Sequence, residues 1–257
     1  MTLVVYVSCT DGVVLAADSG FEMNYSKDSG IMMRGEKIRR INNTFLFSGV
    51  GDSSVIEGVY KILKKKLTRS KSVEDVKDAM LDEFSETKYK HIIRMKRANG
   101  HDPEEEDESI ESLLSAAIVM ASYEEKKGGE AAVISDDSLL NIYNDSTNKV
   151  NKLAIGVGDT IANAYLSAHR EKLSIEEGSF LAYKTIKDTM EVSAQKLMEP
   201  ITISVIDKNG IRSLGEEEIA KFERIYTLSQ KEEKELFSKH IRMLREDDPS
   251  ERLKNKI

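Results

Sequence analysis

Cysteine occurs once, at Cys9. The chain therefore forms no internal disulfide, and a reducing compartment is the natural one for it. Histidine is also scarce: His91, His101, His169 and His240 are not paired at ligand spacing with one another or with Cys9. A structural metal is not expected from them. Glycine-rich phosphate cradles are missing. The "GVGD" at Gly49 and its copy at Gly156 are too short to carry that meaning. No apolar run reaches the ~20 residues of a membrane-spanning helix. The opening residues lack the basic and apolar segments of a secretory signal, so a soluble, cytoplasmic protein is expected. Basic residues are in the minority, with 38 Lys and Arg against 45 Asp and Glu and a net charge of −7. That balance argues against a general nucleic-acid binder. The basic run from Lys61 to Lys71 reads as a solvated helix face.

What remains is a 257-residue chain, 40% hydrophobic, long enough to bury a full core. It opens on strands. "LVVYVS" is followed by the turn Asp11-Gly12 and by "VVLAADS", a hairpin signature. A polar, glycine-bearing loop is expected over 20–35. "KIRRI", the turn "NN" and "TFLFSG" predict a second hairpin. From Ser53 the period changes: Val55, Ile56, Val59, Tyr60, Ile62 and Leu63 recur at helical spacing. Ser72 with Asp75 resembles a capping box opening a second helix through about Met95. The acidic run Glu104–Glu108 reads as a solvated loop. Four further strands follow, then a helix over 159–172 and another opened by Ser174 with Glu177. A last strand pair turns at Asn209-Gly210. The charged end, 216–257, reads as helical. Its narrow stripe of Leu236, Phe237, Ile241 and Leu244 reads as intrachain packing, with the bracing of a subunit contact as the hypothesis beside it. Strands and helix pairs thus alternate in blocks, and the economical packing is two facing sheets, each covered outside by two helices.

One residue separates the start methionine from the first strand. If Met1 is removed, as is usual before a small residue, Thr2 carries a free amine and a hydroxyl on adjoining carbons. Such a residue holds a nucleophile and its own base. An α-amine titrates near ~8, so a modest push leaves much of it neutral. A nearby lysine supplies that push, and a carboxylate orients the lysine. Asp18 ends the strand that folds back beside Thr2, and Lys37 is expected to start the third strand. Gly49, in the turn "SGVGD", is a candidate amide donor to an oxyanion.

"TLVVYVSCTDGVVLAADS", then "KIRRINNTFLFSGVGDS" and a helix, together resemble the proteasome β-type family, including its bacterial relatives. "KLAIGVGDTIANAYLSAHREKLSIEEGSFLAYKTI" and "ITISVIDKNGIRSLGEEEI" extend the resemblance over most of the chain. It implies an α+β fold, the four-layer αββα sandwich of N-terminal nucleophile (Ntn) hydrolases, over 1–214, with 215–257 as a charged helical extension. It implies Thr2 as nucleophile, Asp18 and Lys37 as its charged partners, and Gly49 as oxyanion donor. The implied activity is threonine-type hydrolysis of peptide or amide bonds through an acyl-enzyme, without metal or organic cofactor, and with transfer to another amine left open. The implied assembly is a homo-oligomer or ring acting on peptide or protein, with an ATPase as a partner that the resemblance allows. The alternative is a non-catalytic ring or scaffold subunit. Three positions depart from the pattern. The usual spacing from Asp18 falls on Arg34, although the flanks fit Lys37. Val157 stands where the family has serine. The later accessory pair is reduced to Ser193.

Overall fold

In the computed structural model of the chain, the described residues are 2–26, 29–68, 73, 76–102, 114–135, 138–144, 151–169, 171–193 and 197–246. The fold is a mixed α+β sandwich of two antiparallel sheets with helices. The chain divides into two compact units, Met1–Leu214 and Gly215–Ile257.

The first unit begins with β1 (Leu3–Ser8) and β2 (Gly12–Ala17). The Asp11-Gly12 turn joins them, and the Cys9 amide donates to the Gly12 carbonyl at 2.8 Å. They form a five-stranded sheet in the order β10-β1-β2-β11-β12, with β10 at Lys152–Gly156, β11 at Thr202–Asp207 and β12 at Gly210–Ser213. A second five-stranded sheet runs β5-β6-β7-β8-β9. Its strands are β5 (Arg39–Arg40), β6 (Phe45–Gly51), β7 (Ala116–Glu124), β8 (Gly128–Ser135) and β9 (Ser138–Asn144).

Alternation fixes what each strand face buries. Phe45 and Phe47 of β6, Ile118 and Met120 of β7, and Ile134 of β8 form one apolar cluster. Val55, Val59 and Leu63 of α1 (Ser53–Lys66) and Met80 and Phe84 of α2 (Lys77–Ala98) complete it. The opposite faces meet the first sheet. Leu46, Val50, Val119, Ala121 and Val133 cluster there with Val4, Tyr6, Val13, Leu15 and Ala17. The first sheet's outer face carries α3 (Asp159–Ala168) and α4 (Ile175–Val192). A Cβ at Gly178 of α4 would lie 2.5 Å from the Cys9 sulfur and 3.3 Å from Val7 Cγ1, so a larger residue would lift the helix off the sheet. Asn163 of α3 exchanges two hydrogen bonds with the Ala154 backbone, at 2.8 and 2.9 Å, and occupies the edge of β10.

Three expectations need correcting. The stretch 20–35 is no loop: β3 (Gly20–Ser26) and β4 (Ser29–Arg34) pair as an antiparallel hairpin. Phe21, Met23 and Tyr25 alternate with Glu22, Asn24 and Ser26, the period-two signature that the polar residues obscured. Helix α2 starts at Lys77, and its N-cap Val76 makes no side-chain cap; Ser72 and Asp75 lie outside the described residues, as does Glu104–Glu108. Helix α3 stops at Ala168, short of Lys172. There the Lys152 ammonium donates to the His169 and Glu171 carbonyls, at 2.8 and 3.2 Å. That contact rewards an unwound end over another helical turn. The box opening α4 forms as expected: Ser174 accepts from the Glu177 amide, and the Glu177 carboxylate accepts from the Ser174 amide at 2.8 Å.

In the second unit, α5 runs Glu216–Glu246. Leu236 and Phe237 are exposed on it.

Candidate active site

Thr2 continues β1 by one residue. Its carbonyl accepts from the Val157 amide at 2.9 Å, extending the ladder in which Leu3 faces Gly156. By strand parity Thr2 belongs to the row of Val4 and Tyr6, which faces the second sheet. It is buried. Gly156 makes room for it. Its φ is +105°, and a Cβ there would fall 2.1 Å from the Thr2 carbonyl oxygen and 2.9 Å from Val50 Cγ1 of β6. Only glycine fits that position. The first strand's start and the end of β6 therefore meet at Gly156.

Asp18 follows β2 directly. The hairpin register sets Val4 against Ala17, which brings Asp18 level with Leu3. Its side chain has no solvent exposure. The carboxylate is fully engaged instead. Oδ1 accepts from the Leu3 amide at 2.9 Å and from the Lys37 ammonium at 2.7 Å. Oδ2 accepts from the amides of Gly20, at 2.9 Å, and Met198, at 3.3 Å. A buried carboxylate persists where such donors replace water. One oxygen thus touches both the amide next to Thr2 and the lysine ammonium.

Lys37 does not start a strand, as its sequence context predicted; it lies in the irregular segment 35–38 between β4 and β5. Its side chain is largely buried, and the Asp18 carboxylate is its partner. Burial pushes its ammonium below the ordinary lysine range; Asp18 pulls in the opposite direction without cancelling the effect. Arg34, the residue that spacing alone selects, ends β4 and is exposed. Gly49 sits inside β6, opposite Ile118 and beyond the two residues that pair with β5. A Cβ there would press on Ile56 at 3.0 Å.

Three contributors escaped the sequence reading. Ser48 is fully buried, and its hydroxyl donates to the Lys37 carbonyl at 2.9 Å. The signal was available, since Ser48 is the polar member of the row Leu46, Ser48, Val50 whose neighbours face the sheet interface. Met198 acts through its backbone, donating to Asp18 and accepting from the Ser19 amide at 2.9 Å. No residue type announces a backbone donor. Gly20 is the third; its amide reaches Asp18, and a Cβ on it would lie 2.8 Å from Met198 Cβ. Val157 contributes its amide to Thr2, where a serine would add a hydroxyl. Ser193 caps the end of α4, and its oxygen would lie 3.8 Å from a Cβ built on Gly158.

Cys9 is not activated as a nucleophile. It is buried, and desolvation pushes its thiol up to about 12. Among the described residues no group of three or more His, Cys, Asp and Glu side chains is placed to hold a metal ion. No helix of the described residues is long and apolar enough to cross a membrane. The arrangement is a buried carboxylate–ammonium pair against the backbone of a small hydroxyl residue. Chemically, such a pair can hold positive charge and can relay a proton. Neither profiles of known protein families nor the sequences of curated proteins match the chain.

Proposed function

We propose that this chain is an Ntn hydrolase of the proteasome type, with Thr2 as its nucleophile once Met1 is removed. The two facing sheets, each with helices on its outer face, fit the four-layer αββα arrangement of that class. The observation that carries the reading is the double use of Asp18 Oδ1, which accepts both the Leu3 amide and the Lys37 ammonium. A carboxylate so placed holds a lysine ammonium near the peptide that joins Thr2 to Leu3.

In this reading the Thr2 amine takes the hydroxyl proton, directly or through water, as the oxygen attacks a peptide or amide carbonyl. The Lys37 ammonium favours the neutral amine and the developing alkoxide. The Gly49 amide donates to the oxyanion. The amine then returns its proton to the leaving nitrogen, leaving an ester on Thr2. Water, or a second amine, resolves that ester and restores the hydroxyl. The chemistry needs no metal or organic cofactor. The reading extends to a cytoplasmic homo-oligomer or ring acting on peptides or proteins, with an ATPase as a delivering partner.

A second reading is a non-catalytic ring or scaffold subunit. Val157 favours it, because that position offers Thr2 an amide and no hydroxyl. Intact mass after treatment with a β-lactone or epoxyketone separates the two. The expected result is a chain lacking Met1 that gains one probe adduct, located on Thr2 and absent in Thr2→Ala. A retained Met1, or no adduct on correctly folded protein, selects the scaffold.

A further inference from the structure

We propose that Ser48 is a positioning residue that sets where the Lys37 ammonium stands; the inference rests on the hydrolase reading above. The ladder between β5 and β6 pairs Arg40 with Leu46 and Arg39 with Phe47, and stops there. Lys37 lies beyond its end, in backbone with no strand or helix assignment. At that point the Ser48 hydroxyl reaches across and donates to the Lys37 carbonyl at 2.9 Å. A side chain thus does what a ladder amide does elsewhere in the strand.

The location argues that the hydroxyl is there for this purpose. Ser48 has no solvent exposure and points into the layer that Leu46 and Val50 fill with hydrocarbon. An apolar residue would suit that layer, and a hydroxyl left unpaired in it is costly. Its acceptor is the carbonyl of the one lysine that meets Asp18. The lysine side chain is long and flexible, and Asp18 holds its tip. Ser48 fixes the other end. A displacement of about 1 Å at a reacting group costs on the order of a hundredfold in rate.

Ser48→Thr and Ser48→Val test the proposal as a pair. Both add the same branch, so their packing cost is shared, and only the threonine keeps a donor. Two readouts are taken on the full chain: the β-lactone labelling rate of Thr2 at saturating probe, and the ¹⁵N-resolved NMR signal of the Lys37 ammonium, assigned by its loss in Lys37→Arg. Ser48→Thr is expected to retain most of the rate and the ammonium signal. Ser48→Val is expected to label about 10- to 100-fold more slowly at saturation, with an unchanged half-saturating probe concentration and a lost or broadened signal. Equal rates and equal signals in the two variants overturn the proposal. If the unmodified protein never labels, the hydrolase reading falls, while the ammonium signal still decides whether Ser48 positions Lys37. Should the added branch unfold both variants, Ser48→Ala removes the hydroxyl without adding volume, and a preserved ammonium signal in it is equally fatal.

Discussion

On one face of β6, Phe45 and Phe47 lie in an apolar cluster shared with Val55, Val59 and Leu63 of α1 and with Ile118 and Met120 of β7. On the other face, Leu46 and Val50 also bury hydrocarbon, but Ser48 between them turns a hydroxyl toward Lys37. At the margin of that second layer stand Thr2, Asp18 and Gly156. The two faces belong to the same seven residues, and strand parity alone separates them. The helix-facing side holds the fold together by area removed from water. The sheet-facing side accepts a buried ion pair and an in-strand hydroxyl, neither of which is the most stable filling for such a space. The fully buried Asp18 carboxylate and its Lys37 partner lie where the first strand begins.

The contrast is sharpest in a substitution at the ion pair. Lys37→Ala leaves the Asp18 carboxylate buried with amide donors but no counter-charge. Labelling of Thr2 is expected to fall about 10²- to 10⁴-fold, and stability by about 3–5 kcal/mol. Labelling per folded molecule and denaturant midpoints measure the two separately. A pH dependence accompanies it. The Lys37 ammonium is pushed below the ordinary lysine value by burial, so the folded chain gives up that proton at lower pH than the unfolded chain. The unfolded state binds more protons across that window, and stability rises with pH through it. The contribution is complete above the unfolded value of about 10.4 and is lost as pH falls through the folded one. Lys37→Ala is expected to flatten that slope. A mutant with an unchanged slope would place the lysine in water.

A substitution on the opposite face gives the converse pattern. Phe47→Ala opens a cavity among Val55, Ile118 and Met120, and about 3–5 kcal/mol of stability is expected to go. Labelling per folded molecule, however, is expected to stay close to that of the unmodified chain. Urea unfolding and labelling under strongly folding conditions check both halves. A labelling rate that collapses along with stability would mean that the two faces of β6 are not separable.

How much of this was legible in the residues depends on whether a feature is written in side chains or in backbone. Helix α1 and the β1–β2 hairpin were readable because Val55, Val59 and Leu63, and the Asp11-Gly12 turn, carry their own periods and turn chemistry. The neighbourhood of Thr2 and Asp18 followed from that hairpin, since register carries one to the other. The β3–β4 hairpin was not readable as strands, because its alternation runs through Glu22, Asn24 and Ser26, which read equally well as loop. The end of α3 depended on Lys152, which is distant in sequence. The Gly20 and Met198 amides that satisfy Asp18 have no side-chain signature. A polar residue in an otherwise buried row, as at Ser48, is a signal that alternation exposes.

The smallest effect tests whether local chemistry, away from both faces of β6, can be read separately from the core. Ser174 caps α4 and shares a reciprocal pair of bonds with Glu177. The Ser174 amide, and then its hydroxyl, hold the Glu177 carboxyl below the usual carboxylate range. Ser174→Ala is expected to cost about 1 kcal/mol, the general value for a lost serine N-cap. Part of that cost depends on pH. A carboxyl with a lowered folded value stabilises the folded chain above the unfolded value, and the gain disappears as pH falls through the lowered one. The gap between the original and Ser174→Ala proteins should therefore be widest near neutrality and narrow in acid. Urea midpoints at a series of pH values measure it. Helix α4 packs on the outer face of the first sheet, so labelling of Thr2 should not change. A gap that is constant with pH would mean that the hydroxyl caps the helix without help from Glu177. A fall in labelling would mean instead that the start of α4 is coupled to Thr2 through the Asp11 carboxylate, which accepts the Ile175 amide at 2.8 Å.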